Sequence, residues 1–245
     1  MLLAIDIGNT NIAIGVFNEK RLQHHYTIST QAKVYKAALK KIIDQYEVSE
    51  CMLCSVVPKV TKIISRDLTQ LIGKKPIIIG KDICVPIKNN YRNPRQVGQD
   101  RLVNAYAGIS LYGAPLIVVD FGTAITFDLV SRRKAYEGGV ILPGLGISLE
   151  ALNNRTALLP KIKLRSPGRL VGKDTKNSML SGIIYGFAAM TEQLNIKLKK
   201  ELGAGTKVIV TGGNSRLISR HCFNIDKTDP LLTLKGINLI YKKTS

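Results

Sequence analysis

Three short runs in the sequence set glycine and small polar residues at the end of an apolar segment, two of them behind a carboxylate. The first is Asp6-Ile7-Gly8-Asn9-Thr10-Asn11-Ile12-Ala13, which follows the apolar run Leu2–Ile5. A glycine in a tight turn lets the backbone approach an anion closely, and successive N–H groups in such a turn form an anion-binding concavity. The Asn and Thr side chains add donors and acceptors, and Asp6 can hold Mg²⁺ directly or through water. The same run is also what an ordinary hairpin looks like, with Asp and Asn satisfying turn amides. The second run, Asp120-Phe121-Gly122-Thr123-Ala124, follows Leu116–Val119 and repeats the first in kind and position. The ordinary-turn account must then hold twice, whereas two such loops together can bind a polyphosphate and its cation. The third, Thr211-Gly212-Gly213-Asn214, lies between a predicted strand and helix and would let a flat ring or ribose come close. Alone it is also a plain strand-to-helix turn.

Gly98-Gln99-Asp100-Arg101 opens a predicted helix. Asp100 can act as a general base toward a hydroxyl, and Arg101 can bind an acidic group or developing charge. An Asp at a helix start paired with a neighbouring Arg accounts for the same residues. Glu137–Gly144 is glycine-dense across a predicted strand, which fits either close approach by a ligand or backbone, or a bulge followed by a Pro-Gly turn. These residues alone do not separate the two.

Other chemistries are excluded. There is no G-x-x-x-x-G-K-[ST], no protein-kinase motif set and no Gly-x-Ser-x-Gly. His24, His25 and His221 have no metal-ligand spacing. Cys51-x-x-Cys54 has no second pair to complete a zinc site, and its surroundings read as a buried strand where cysteine serves as a small hydrophobe. Four cysteines in a chain without a secretion signal point to a reducing, cytoplasmic compartment.

The elements that must carry these loops follow from apolar spacing. Strands are predicted at Leu2–Ile5, Ile12–Phe17, Leu22–Ile28, Cys51–Val57 and Pro76–Ile79, with a turn at Asn18-Glu19-Lys20 and helices over Ala32–Tyr46 and Val60–Ile72. Gly80–Gly98 is turn-rich and reads as a junction, which sets halves at 1–97 and 98–245. After a helix over Asp100–Tyr112, strands at Leu116–Val119, Ile125–Val130 and Lys134–Ile141 repeat the opening order. Helices are predicted over Ile147–Leu152, Thr175–Leu202 and Pro230–Lys242, and strands at Lys207–Val210 and near Phe223–Ile225. Alternating strands and helices predict an α/β fold built by duplication.

The 245 residues carry a formal charge of +19, spread along the chain and not interleaved with aromatics, so no stacking platform for single-stranded nucleic acid is expected. A surface of that sign also steers ATP and other anions. No apolar run is long enough for a membrane span.

Taken together, these motifs resemble those of type III pantothenate kinases. The resemblance also takes in Arg155-Thr156-Ala157-x-Leu159-Pro160 and the segment from Gly172-Lys173-x-Thr175 through Ser181-Gly182. It implies two actin-like, ribonuclease H-like domains, each a mixed five-stranded sheet with flanking helices, and a homodimer. It implies phosphorylation of pantothenate by ATP with Mg²⁺ and a monovalent cation, K⁺ or NH₄⁺. Asp6, Ile7, Gly8, Asn9, Thr10, Asn11, Ile12, Ala13 and Thr123 would bind ATP. Asp100 would be the base, Tyr91, Gly98, Gln99, Asp100, Arg101 and Thr175 would contact pantothenate, and Asp120 would bind K⁺. Gln99 stands where the family commonly has a small residue, and Asn214 where an acidic residue often follows the glycines. A transcriptional accessory or nucleic-acid-binding protein on the same fold is the alternative, although such a protein has no need for Asp6, Asp100 and Asp120 together.

Overall fold

The computed structural model describes residues 1–19, 21–32 and 34–244. Lys20, expected in the turn after the second strand, and Lys33, expected at the start of the first helix, lie outside the described residues. In chain order the elements are β1 (Leu2–Ile7), β2 (Asn11–Asn18), β3 (Arg21–Ser29), α1 (Lys36–Gln45), β4 (Glu50–Ser55), α2 (Pro58–Ile72), β5 (Ile77–Ile78) and β6 (Lys88–Asn89). There follow α3 (Gln99–Tyr112), β7 (Leu116–Phe121), β8 (Ala124–Val130), β9 (Ala135–Pro143), α4 (Leu145–Asn154), α5 (Thr175–Leu202), β10 (Lys207–Thr211), α6 (Ser215–Ser219), β11 (Lys227–Thr228) and α7 (Leu232–Thr244).

Contacts divide the chain into two compact units, the first formed by Met1–Ile87, Arg92–Ala107 and Leu232–Ser245, the second by Lys88–Tyr91 and Gly108–Leu231. This is not the single cut after residue 97 expected from the sequence. The last helix, α7, packs on β1, β2 and β4 and so belongs to the first unit. Lys88 and Asn89 pair with Ala135 and Tyr136 of β9 and so belong to the second.

The first unit has a five-stranded sheet in the order β3-β2-β1-β4-β5. β1, β2 and β3 run antiparallel, while β4 and β5 run parallel to β1. The middle strands β1 and β4 read as nearly continuous apolar runs because both faces are covered. Leu3, Ile5 and Ile7 of β1 and Ile12, Ile14 and Val16 of β2 pack with Leu39 and Ile42 of α1 and Val60, Ile64 and Leu68 of α2. The spacing of four along α2 gives that helix one buried stripe. Pro58 in its first turn and Gly73 at its end, with φ +78, punctuate it in the usual sense. Cys51 and Cys54 are both buried on β4, as expected of strand cysteines.

The second unit repeats this topology. β9-β8-β7-β10-β11 reproduces β3-β2-β1-β4-β5, with three antiparallel strands followed by two parallel ones. A sixth strand, β6, is added at the β9 edge, so this sheet has six strands where five were expected. The strand expected near Phe223–Ile225 is also corrected. Phe223 is 97% exposed, and the strand lies at Lys227–Thr228, parallel to β10. Asp226 sets that position by exchanging bonds with Val208, its N–H donating to the Val208 carbonyl at 3.0 Å and its carboxylate accepting from the Val208 N–H at 2.7 Å. Among the described residues no helix is long and apolar enough to cross a membrane.

Candidate active site

In the first unit, β1 ends at Asp6 and Ile7, and a tight turn leads into β2. Asp6 is half-buried and sits in register with Ala13 of β2 and Cys54 of β4. The turn closes through the Gly8 N–H, which donates to the Asn11 carbonyl at 3.0 Å. A Cβ on Gly8 would lie 3.1 Å from that same oxygen, so the residue type is set by the closeness of the turn. Thr30 braces the loop from outside, its hydroxyl donating to the Gly8 carbonyl at 2.7 Å and its N–H to the Thr10 carbonyl at 3.0 Å. Asn9, Thr10 and Asn11 are exposed, whereas Ile7 and Ile12 are wholly buried core residues. Those two can offer a ligand only their backbone.

Asp100 lies in the first turn of α3. Its carboxylate folds back to accept the Arg101 N–H at 2.9 Å. A Cβ on Gly98 would come within 2.4 Å of that carboxylate oxygen, so Gly98 supplies the space in which the base sits. Burial is the main effect on Asp100 and pushes its pKa up, against the pull of the Arg101 N–H and guanidinium. Arg101 is itself only 8% exposed. The Cys54 thiol is pushed well up, first by burial and then by the carboxylates of Asp6 and Asp100. Both carboxylates therefore act on one buried atom at the end of β4, which brings the first loop and the helix start to one locus. Cys54, read from its sequence surroundings only as a small buried strand residue, is the third group here.

Gln99 is half-buried beside Asp100 in the first turn of α3. Its side chain lies over Gly80, where a Cβ would stand 2.6 Å from it. There it borders a groove of about 780 Å³ between α2 and the segment after β5. Lys62, Arg66, Lys75 and Lys81 line this groove, with Ser55 and no acidic residue. Among the described residues, Lys62, Lys75 and Lys81 make no ion pair.

In the second unit, Asp120 stands on β7 in register with Thr126 of β8 and Thr211 of β10. Three of the glycine-bearing runs singled out from the sequence, 120–124, 137–144 and 211–214, meet here. A Cβ on Gly212, which has φ +90, would lie 2.3 Å from an Asp120 carboxylate oxygen. A Cβ on Gly144 would lie 2.1 Å from the Thr123 carbonyl and 2.7 Å from that of Gly122. The Gly144 N–H donates to the Thr123 carbonyl at 3.1 Å, and the Asn214 N–H to the Phe121 carbonyl at 3.2 Å. For Gly144 the two readings left open by the sequence are thus separated, since the close approach is by backbone. The Gly122 and Thr123 carbonyls thus crowd Gly144 and the Asp120 carboxylate crowds Gly212, so neither glycine position has room for a side chain. Thr123 is exposed beside it.

Tyr91 follows β6 and is half-buried in the second unit. Thr175 is exposed at the first position of α5, where Asp174 caps the helix by accepting the Asn177 N–H at 2.9 Å. Gly172 lies where a Cβ would meet the Ser178 N at 2.4 Å, so the preceding loop folds onto the first turn. Among the described residues no group of three or more His, Cys, Asp and Glu side chains could hold a metal ion.

The family model for type III pantothenate kinase matches residues 2–197. A type III pantothenate kinase of Moorella thermoacetica is 40% identical over 254 residues, covering 100% of both chains. Among solved structures, a Baf family transcriptional activator from Campylobacter jejuni superposes with a TM-score of 0.60 at 20% identity, covering 99% of this chain and 98% of that one. The activator of 2-hydroxyisocaproyl-CoA dehydratase from Clostridium difficile, bound to ADPNP, superposes with a TM-score of 0.55 at 11% identity, covering 99% and 94%. These two likenesses show the fold alone.

Proposed function

The chain belongs to the type III pantothenate kinase family, and on that footing we propose how its residues divide the work. It is a kinase that phosphorylates pantothenate with ATP to give 4'-phosphopantothenate, the first step of coenzyme A biosynthesis. A primary hydroxyl is a weak nucleophile, so a carboxylate that takes its proton during attack on the γ-phosphorus lowers the barrier. Asp100 is that base. The observation that carries this assignment is its setting, with one oxygen fixed by the Arg101 N–H, its space left open by Gly98, and burial raising its basicity.

The turn from Asp6 to Ala13 receives the ATP phosphates, its exposed backbone N–H groups and the Asn9, Thr10 and Asn11 side chains supplying donors. Thr123 is a further ATP contact. Gly98, Gln99, Arg101, Tyr91 and Thr175 contact pantothenate, with Arg101 placed to balance its acid group or the charge that develops in transfer.

One half-buried carboxylate at a phosphate loop, with no three-carboxylate cage among the described residues, suits Mg²⁺ that arrives on the nucleotide and keeps most of its water. Asp6 would hold it through water. Asp120, on β7 beside Gly212, would bind K⁺ or NH₄⁺. The metal ions would supply neutralisation of phosphate charge. A homodimer in the cytoplasm completes the reading.

The test is pantothenate-dependent ADP formation, with the product identified by mass and by ³¹P NMR, with and without Mg²⁺ and K⁺. A phosphomonoester on the primary hydroxyl supports the reading. ADP release that does not depend on pantothenate contradicts it.

A further inference from the structure

Tyr91 is held by a device that the reaction itself does not require. On β9, Tyr136 pairs with Val130 while Gly138 pairs with Leu129, so Glu137 is an extra residue in the ladder, a β-bulge. Bulges bend a strand and re-aim the side chains beside them. Gly138 takes φ +114 at this point, and a Cβ there would lie 3.4 Å from the Tyr91 ring. The ring therefore rests on bare backbone. The segment before it is fixed to the same bulge. The Asn90 N–H donates to the Tyr136 carbonyl at 2.9 Å, the Asn90 amide to the Glu137 carboxylate at 3.0 Å, and the Tyr91 N–H to the Asn89 side chain at 3.0 Å.

Behind Tyr91 stands Tyr136, whose ring centroid is 6.4 Å away at an interplanar angle of 49°. Tyr136 is fully buried, and its hydroxyl donates to Asp128 at 2.9 Å. The other oxygen of Asp128 accepts from the Thr126 hydroxyl at 2.9 Å. Asp128 is 0% exposed. Burying a carboxylate is costly even when it is hydrogen-bonded, and a Phe at 136 over an apolar residue at 128 would fill the same space without that cost. What the pair adds is direction, since the hydroxyl bond sets the depth and tilt of the Tyr136 ring that stands behind Tyr91.

We propose that Asp128 and Tyr136 are positioning residues that act through Tyr91 to set its place against pantothenate. This rests on the reading that Tyr91 contacts pantothenate.

The test is steady-state kinetics on Asp128→Asn, Tyr136→Phe, Tyr91→Ala and the double variants that combine Tyr91→Ala with each of the first two. Asp128→Asn and Tyr136→Phe should raise KM for pantothenate roughly threefold to tenfold, with kcat and KM for ATP changed less than about twofold. In the Tyr91→Ala background neither should raise it further. Tyr112→Phe, which removes another Tyr–Asp bond of the same unit, 2.7 Å to Asp229, should lower Tm and leave KM alone. Equal effects with and without Tyr91, or KM values for ATP and pantothenate that rise together, overturn the proposal. An unchanged KM in Tyr91→Ala removes the residue through which the pair would act and overturns it too, while leaving the kinase activity and Asp100 untouched. If Asp128→Asn fails to fold, Tyr136→Phe alone decides.

Discussion

Asp6 and Cys54 face each other across the parallel pairing of β1 and β4, so the carboxylate at the phosphate loop has a buried thiol as its strand neighbour. The thiol is neutral, because burial and the carboxylates of Asp6 and Asp100 all disfavour its thiolate. Alkylation needs the thiolate, whose fraction falls about tenfold for each unit of added pKa. In the native protein at pH 8, iodoacetamide should label exposed Cys84 and spare Cys54, along with Cys51, which is pushed up to about 12. Peptide mapping before and after unfolding checks this, and native labelling of Cys54 would contradict the description of its surroundings.

Asp100 carries a cost in stability that follows from its environment. Its folded pKa is raised above the unfolded one, so the folded state holds the proton more tightly. Stability from this group is full below the ordinary carboxylate value and is lost as pH rises through the raised folded value. At neutral pH Asp100→Asn should therefore melt higher than wild type, by a few degrees at most, and the gap should close in acid. Thermal melts from pH 3.5 to 7.5 measure it. A variant that melts lower at neutral pH would mean the carboxylate is not strained there.

Gly98→Ala should displace the Asp100 carboxylate, since the new methyl would need the space of its oxygen. A misplacement of about 1 Å at a reacting group can cost on the order of 10²-fold, so kcat should drop by roughly ten- to a hundredfold with a small change in Tm. A fully active Gly98→Ala would show that the base has room to move.

Gly212→Ala meets two obstacles, a positive φ and the Asp120 carboxylate. It should destabilise by about 1–3 kcal/mol and blunt activation by K⁺. Asp120→Asn should lose most of the K⁺ response while keeping the fold. Activity titrations against KCl at fixed ionic strength distinguish these, and an unchanged K⁺ response in Asp120→Asn would remove Asp120 from that role.

The cations around the groove beside Gln99 should raise the local concentration of an anionic substrate. Lys62→Glu with Lys81→Glu should lower kcat/KM for pantothenate about twofold to fivefold at low salt, and the deficit should vanish near 0.5 M salt. Equal deficits at both salt concentrations would mean the groove acts by contact and not by field.

Much of this was legible in the sequence, and the gaps have physical causes. The glycine loops stood out because φ above zero and close backbone approach leave few residue choices, as at Gly212 and Gly8. Long apolar elements such as α5 were legible to the residue. Short pairings were not. β6 and β11 have two residues each, and their pairing partners, β9 and β10, lie far away in the chain or carry no local signal. Phe223 looks like a strand residue and is almost wholly exposed, because β-propensity describes a fit to a half-buried surface and not a backbone preference. The return of α7 to the first unit and the bulge at Glu137 depend on distant partners that spacing does not reveal.

The most direct test is ADP formation from ATP and pantothenate, with Mg²⁺ and K⁺, by wild type and by a folded Asp100→Asn. Removing a general base typically costs about 10²–10⁴-fold. The account predicts that turnover collapses by that factor while ATP still binds. Turnover that survives in Asp100→Asn would contradict the assignment of the base.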